Sequence, residues 1–173
     1  MLPMFSYRIA ALALLTIAAN LTSLSDNAWV IRQDGVGPVK IGMNLFQLSS
    51  LLHEKFSMPD SKDEQGCFYV EPTKHPQVGF MIVDGRLARI DVTEPGVPTT
   101  KGIQVGDSEA HALKVYGPRL KVEPHAYTRP EGHYLTLRSS NGRYGIRFET
   151  DQGKIVMFYA GRFEAVQYIE GCE

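Results

Sequence analysis

An internal repeat is the feature of this sequence that most constrains its fold. The segment VKIG at residues 39–42 aligns with IQVG at residues 103–106, and each is followed by a capping residue and an amphipathic stretch. Further along, VGFMIV at residues 78–83 aligns with YGIRFE at residues 144–149, and a turn follows both segments. Because element order and turn chemistry repeat together, the sequence predicts two successive units of one architecture.

Each unit is predicted to begin with a short strand and a helix. Asn44 is a good N-cap, and apolar residues recur after it at helical spacing: Leu45, Leu48, Leu52 and Phe56. A second helix is predicted to begin after Asp107 or Ser108 and to run through Tyr116, where Gly117 stops it. Both helices are expected to cover one face of a sheet.

The later part of each unit is predicted to be antiparallel sheet. Residues 143–148 alternate between polar and apolar side chains, which is typical of a half-buried strand. Asp-Gly at residues 84–85 and Asn-Gly at 141–142 predict two-residue hairpin turns, and Gln-Gly at 152–153 predicts a slightly longer turn. We therefore predict an α+β fold of two tandem repeats, each a helix packed on a three- to four-stranded antiparallel sheet.

The N-terminal segment predicts the compartment. Arg8 precedes an apolar run at residues 9–19, and the small residues Ser23 and Ser25 follow, which is the pattern of a secretory signal peptide. The run is shorter than the roughly 20 residues that span a bilayer, although a retained anchor is the alternative. We expect cleavage after Ser25 and a periplasmic or secreted protein with no stable membrane anchor. The predicted boundaries are a signal peptide at 1–25 and repeats at 26–99 and 100–173.

The two cysteines, Cys67 and Cys172, are separated by 105 positions. In an oxidising compartment we expect them to form a structural disulfide that fastens the C-terminus to the first half of the chain. A redox or nucleophilic cysteine is the alternative, but it requires a lowered thiol pKa, and no Cys-x-x-Cys pattern is present to supply one.

Residues 106–117, GDSEAHALKVYG, resemble the signature helix of the β-lactamase-inhibitor-protein-like superfamily. That pattern is a Gly, a capping Ser or Thr two residues later, apolar helix positions and a closing Gly. Residues 42–52 resemble it too, with His53 in place of the closing Gly. The resemblance implies tandem helix-plus-sheet repeats and protein binding, as in the secreted inhibitor and in small outer-membrane assembly lipoproteins. This chain lacks the lipoprotein cysteine, and the inhibitor's contact residues have no recognisable counterparts in it.

Charge and motifs exclude several classes of function. The 18 basic and 19 acidic residues give a net charge of -1, so no basic footprint indicates a nucleic-acid partner. No nucleophile elbow, phosphate-binding glycine loop or His-Glu-x-x-His helix is present. We expect no enzyme activity, no cofactor and no metal. The alternative is a small-ligand-binding protein or an atypical zinc-dependent hydrolase that uses His125 and His133.

Alternation along the last strands predicts a binding face. Six residues are expected to face the second helix: Leu135, Leu137, Ile146, Phe148, Ile155 and Met157. The outward set then contains four candidate binding residues, which are Tyr134, Arg138, Arg147 and Phe158. Aromatic and Arg side chains are enriched among interface hot spots. We therefore predict a non-enzymatic inhibitor, immunity or assembly factor that binds another protein of the envelope or extracellular space.

Overall fold

A computed structural model describes residues 29–61 and 66–172, and the predicted signal peptide at 1–25 lies outside them. The described chain forms two α-helices, α1 (Leu45–Leu52) and α2 (Glu109–Tyr116). Neither helix is long and apolar enough to cross a membrane. The described strands are β1 (Ile31–Arg32), β2 (Gly35–Val36), β3 (Val39–Lys40), β4 (Cys67–Val70), β5 (Val78–Val83), β6 (Arg86–Val92), β7 (Lys121–Pro124), β8 (His133–Arg138), β9 (Tyr144–Asp151) and β10 (Lys154–Arg162).

The strands form two antiparallel sheets. A small sheet has the order β1-β2-β3, and a seven-stranded sheet has the order β4-β5-β6-β10-β9-β8-β7. The pairing of β10 with β6, in which Phe158 lies opposite Val92 and Gly161 opposite Arg89, joins strands from both halves of the chain. The predicted α+β class with antiparallel sheet is therefore confirmed. The sequence did not indicate that the two halves share one continuous sheet.

The helix ends follow the local sequence. The Asn44 side chain accepts a hydrogen bond from the backbone N–H of Gln47, and the Gln47 side chain accepts one from the backbone N–H of Asn44. Ser108 caps α2 by accepting a hydrogen bond from the backbone N–H of His111. His53 ends α1 with a φ of 55°, a left-handed conformation that non-glycine residues rarely adopt. It occupies the position at which the sequence pattern has a closing Gly.

Two of the three predicted hairpin turns differ in length from the prediction. Residues 84–85 form a two-residue turn, as predicted, and both have positive φ, as a type I′ turn requires. Residues 152–153 also form a two-residue turn with positive φ, so the longer turn predicted there is wrong. Residues 141–142 lie instead in a five-residue loop, 139–143. In that loop the Asn141 side chain accepts hydrogen bonds from Ser139 and from the backbone N–H of Arg143.

The hydrophobic core lies between one face of the large sheet and a layer made of both helices and the small sheet. From the large sheet it includes the predicted residues Leu135, Leu137, Ile146, Phe148 and Ile155, together with Ile90 and Val92. From the covering layer it includes Leu48, Ala112, Tyr116, Ile31, Val36 and Val39. On α2, Ala112 and Tyr116 are buried, whereas Leu113 is half-buried.

A β-bulge in β10 overturns the predicted orientation of two side chains. The pairing of β10 with β9 shifts register between Ile155 and Met157, so Val156 is an extra residue. Because one extra residue reverses the inward and outward positions, Phe158 is fully buried in the core, and Tyr159 lies on the opposite face. The prediction that Phe158 points outward is wrong, as is the prediction that Met157 faces α2.

The predicted disulfide between Cys67 and Cys172 is confirmed, with a Cα–Cα distance of 5.3 Å. It fastens the C-terminal segment to the edge strand β4. We expect the double substitution of Cys67→Ser and Cys172→Ser to lower the free energy of unfolding by about 2–4 kcal/mol, because the bridge closes a long loop in the unfolded chain. Urea unfolding measures this loss, and reductant should lower the stability of the parent but not of the variant. Equal stability of parent and variant would contradict the expectation.

Candidate functional site

The face of the large sheet that points away from α1 and α2 carries a cluster of polar side chains. We call it the polar face, and its members are Tyr69, Arg89, Asp91, Tyr134, Thr136, Arg147, Glu149 and Tyr159. All of them except Tyr69 are buried. The register places Tyr159 opposite both Asp91 and Arg147, and Thr136 opposite Arg147, so the polar side chains form a row across four strands.

Arg89 and Asp91 form a buried bidentate ion pair at one end of the polar face. The guanidinium donates from Nε to Oδ1 at 2.7 Å and from Nη2 to Oδ2 at 2.8 Å. Its Nη1 donates to the backbone carbonyls of Ala165 and Tyr168, which holds the C-terminal segment against the sheet. Burial raises the pKa of Asp91, and the Arg89 charge opposes that rise. All three guanidinium nitrogens are therefore engaged within the chain.

A second chain of hydrogen bonds joins His125, Glu149 and Tyr159. His125 Nδ1 accepts from the backbone N–H groups of Tyr127 and Thr128 at 3.1 and 3.2 Å. Since Nδ1 is an acceptor, the proton of the neutral ring is on Nε2, which donates to Glu149 Oε2 at 3.0 Å. Tyr159 donates to Glu149 Oε1 at 2.8 Å, and burial raises the pKa of Tyr159, so its hydroxyl keeps that proton.

The four predicted binding residues do not form one exposed surface. Tyr134 and Arg147 do lie on the same face, but each is only 5% exposed. The Arg147 guanidinium donates to Thr136 Oγ1 at 2.8 Å and to Gln167 Oε1 at 2.6 Å. Arg138 is exposed and lies over the Phe163 ring, 4.2 Å from its centroid. With Phe158 in the core, only Arg138 of the predicted four has the exposure that direct contact with a partner requires.

The two histidines of the alternative prediction, a zinc-dependent hydrolase, form hydrogen bonds with other groups of the chain. His125 Nδ1 already accepts hydrogen bonds from two backbone N–H groups. His133 Nδ1 lies 3.1 Å from Glu109 Oε2, which also accepts from Thr150. No group of three or more His, Cys, Asp or Glu side chains in residues 29–61 and 66–172 is arranged to hold a metal ion.

A groove of about 540 Å³ lies where three chain segments meet, and we call it the cationic groove. The first segment is the β1–β2 hairpin. The second is the C-terminal end of α2 together with residues 100–101, which lie before that helix in the chain, and the third is the loop between β8 and β9. Gln33 Nε2 donates to the backbone carbonyl of Leu137 at 3.1 Å, which ties the hairpin to β8. Ile31, Leu137 and Ile146 form its buried apolar part, and Tyr116 and Tyr144 add aromatic rings.

Four basic side chains surround this groove against one carboxylate. Arg32 pairs with Asp34 at 3.3 Å. Lys101 lies over the Tyr116 ring and donates to the backbone carbonyl of Val115, and Arg143 lies over the Tyr144 ring. Within the described part of the chain, Lys101, Arg119 and Arg143 have no carboxylate within 4.0 Å, and none of them takes part in an ion pair. The arrangement is suited to binding an anion that also carries apolar surface.

Sequence reasoning missed the cationic groove. Its basic residues come from positions far apart in the chain, which are Arg32, Lys101, Arg119 and Arg143. No local motif connects them, because the groove depends on the packing of the first hairpin against the second half. The available signal was weak: Arg119 and Arg143 each follow a predicted stop or turn, where side chains are usually exposed.

Comparison of the chain with known protein families, with curated proteins and with solved structures found no match. The geometry of the polar face and of the cationic groove therefore carries the functional argument. On the polar face, two guanidinium groups and two carboxylates lie within one hydrogen-bonded layer. The cationic groove differs because three of its four basic side chains have no carboxylate partner among the described residues.

Proposed function

We propose that this protein is a non-enzymatic binding protein that holds a segment of another protein in the cationic groove. The observation that carries the proposal is the contrast between the two charged regions. The buried charges of the polar face are engaged by partners inside the chain, whereas Lys101, Arg119 and Arg143 are exposed around an open groove. Exposed cations beside aromatic rings and an apolar floor are typical of recognition surfaces.

We also propose that the protein acts as an inhibitor, immunity factor or assembly factor outside the cytoplasm. The support is the disulfide between Cys67 and Cys172, since structural disulfides persist in oxidising compartments. The N-terminal pattern at residues 1–25 points to the same location. A periplasmic or secreted location therefore belongs to the proposal.

The tandem-repeat architecture is part of the same proposal. Its support is a matched set of backbone hydrogen bonds at the start of each helix. Gly42 N–H donates to the Leu87 carbonyl at 2.8 Å, and Gly106 N–H donates to the Ile155 carbonyl at 2.9 Å. The return bonds run from Leu87 to Met43 and from Ile155 to the residue after Gly106. Relationship to the β-lactamase-inhibitor-protein-like superfamily would account for this correspondence.

Site-specific photo-crosslinking tests the binding role. The photoreactive residue p-benzoylphenylalanine is placed at position 100 in place of Thr100, an exposed residue that lines the groove. The matched control carries it in place of Lys55, an exposed residue after α1 and outside the groove. In extract of the cells that produce the protein, we expect one dominant protein adduct at position 100 and at least a fivefold weaker one at position 55.

The adduct must also be saturable. An excess of unlabelled parent protein should suppress it, because a specific groove has a limited number of occupants. Equal labelling at positions 100 and 55, or labelling that unlabelled protein does not suppress, would contradict a docking role for this groove.

A further inference from the structure

We infer that the occupant of the cationic groove is an acidic peptide segment of the partner protein, with carboxylates flanking an apolar side chain. This inference rests on the proposed function and adds the chemistry of the partner. Its first support is charge: four cations and one carboxylate line the groove, although the whole chain has a net charge of -1. The excess positive charge is therefore local, and it attracts anions to this part of the surface.

The positions of the cations favour carboxylates held at several points. The Lys101 ammonium lies 5.3 Å from the centre of the Tyr116 ring, and the Arg143 guanidinium lies 5.5 Å from the centre of the Tyr144 ring. Contact with a ring restricts each long side chain before any ligand arrives, which lowers the entropy cost of binding. Arg119 has no hydrogen-bond or ion-pair partner within the described residues, so its planar fork is available for a carboxylate.

The floor of the groove selects for a ligand that is more than a simple anion. The Leu137 and Tyr116 side chains each keep 7% exposure, and half-buried Tyr144 joins them in the lining, so the floor offers an accessible apolar surface. An apolar side chain placed over them would lose contact with water while the neighbouring carboxylates reach the rim. The volume of about 540 Å³ falls within the usual range for ligand sites, so a short segment fits and a whole folded domain does not.

The backbone of the groove leaves recognition to side chains. At Ile31 the N–H donates to the Pro98 carbonyl and the carbonyl accepts from Thr100, so β1 offers no free strand edge there. Addition of the ligand as an extra strand beside Ile31 is therefore blocked. A long polyanion such as a nucleic acid is disfavoured because the acidic residues in excess elsewhere on the chain would repel its extension.

Fluorescence anisotropy with two labelled ten-residue peptides tests this inference. One peptide consists of Asp and Glu with a central Leu, and the other has Asn and Gln in place of the acids. We expect the acidic peptide to bind at least tenfold more tightly, and its affinity to fall as salt is raised, because exposed charges are screened. Arg119→Gln and Arg143→Gln should each weaken binding by about threefold to tenfold.

Two control variants show whether an effect depends on the position and on the charge of the substituted side chain. Arg129→Gln removes the same charge from an exposed loop residue outside the groove and should change the affinity less than twofold. Arg119→Lys keeps the charge and should retain more binding than Arg119→Gln. Thermal unfolding of each variant should match the parent, since these side chains are exposed.

The outcomes separate this inference from the proposed function. Equal binding of both peptides, or equal loss in Arg129→Gln and Arg119→Gln, would overturn the acidic-segment inference. Displacement of the acidic peptide by equimolar inorganic phosphate or by a single-stranded oligonucleotide would overturn it too. If the saturable adduct at position 100 persists in these cases, the proposed function stands with a different ligand chemistry; if the adduct is also absent, both fail.

Discussion

Replacement of Phe158 by Ala is expected to lower the free energy of unfolding by about 3–5 kcal/mol. The Phe158 ring is fully buried at the centre of the large sheet, with its centroid 5.4 Å from that of Phe148. Truncation leaves a cavity in a close-packed core, and the surrounding strands can only partly collapse into it. Urea unfolding followed by tryptophan fluorescence or circular dichroism, with the disulfide intact, measures the loss.

Met157→Ala is the matched control for this prediction. Met157 is half-buried and points to the opposite face of the sheet from Phe158, so its truncation should cost less than half as much. A large loss of stability in Met157→Ala, together with parent-like stability of Phe158→Ala, would contradict the bulge at Val156. It would show instead that inward and outward side chains alternate without interruption along β10. The pair of variants therefore tests the register of β10 as well as the size of the core.

Replacement of Asp91 by Ala is expected to lower the free energy of unfolding by about 3–5 kcal/mol. The substitution removes the Asp91 carboxylate, which lies 2.7 Å from the Arg89 guanidinium. Arg89 is then buried without this ion-pair partner. An unpaired charge in this position loses its water without gaining a compensating attraction. Chemical denaturation measures the loss, and the C-terminal segment held by Arg89 should exchange its amide hydrogens faster.

Glu123→Ala provides the comparison, because it breaks an ion pair of the same length on the surface. Lys121 and Glu123 also lie 2.7 Å apart, but their side chains are 71% and 37% exposed. Their separation should cost less than about 1 kcal/mol, since water replaces the lost partner. Similar losses for Asp91→Ala and Glu123→Ala would contradict the burial of the Arg89–Asp91 pair.

Local signals in the sequence predicted much of the fold. Asn44 and Ser108 cap the helices, and the turn at residues 84–85 closes a tight hairpin, because short-range hydrogen bonds and positive φ values determine these features. The disulfide followed from the presence of two cysteines and the expected compartment. Each of these predictions depends on residues that carry their own structural preference.

The orientation of β10 and the joining of the sheets could not be predicted in the same way. The bulge depends on how β10 is paired with β9, and Val156 has no residue type that marks it as the extra position. The β6–β10 pairing joins strands more than 60 residues apart, and no hairpin turn specifies it. The alternation of side chains along β10 was recognised from the sequence, but the register shift at Val156 was not. The predicted orientation of Phe158 was therefore wrong.

The cationic groove lay beyond sequence reasoning for a related reason. Its charges become neighbours only when the β1–β2 hairpin packs beside β8, through contacts such as that of Gln33 with the Leu137 carbonyl. Arg147 illustrates the reverse case. Its residue type suggested a partner site, but the fold surrounds it with Thr136 and Gln167.

Mapping of bound acidic peptide by two-dimensional amide NMR tests most directly the central claim that the groove binds an acidic segment. The spectrum of the oxidised protein is recorded while the unlabelled acidic ten-residue peptide is added. We predict saturable shift changes that cluster within residues 31–34, 100–101, 116–119 and 137–146, the segments that contain the residues lining the groove. Changes that cluster on the polar face or at α1, or a spectrum that does not change at millimolar peptide, would contradict the claim.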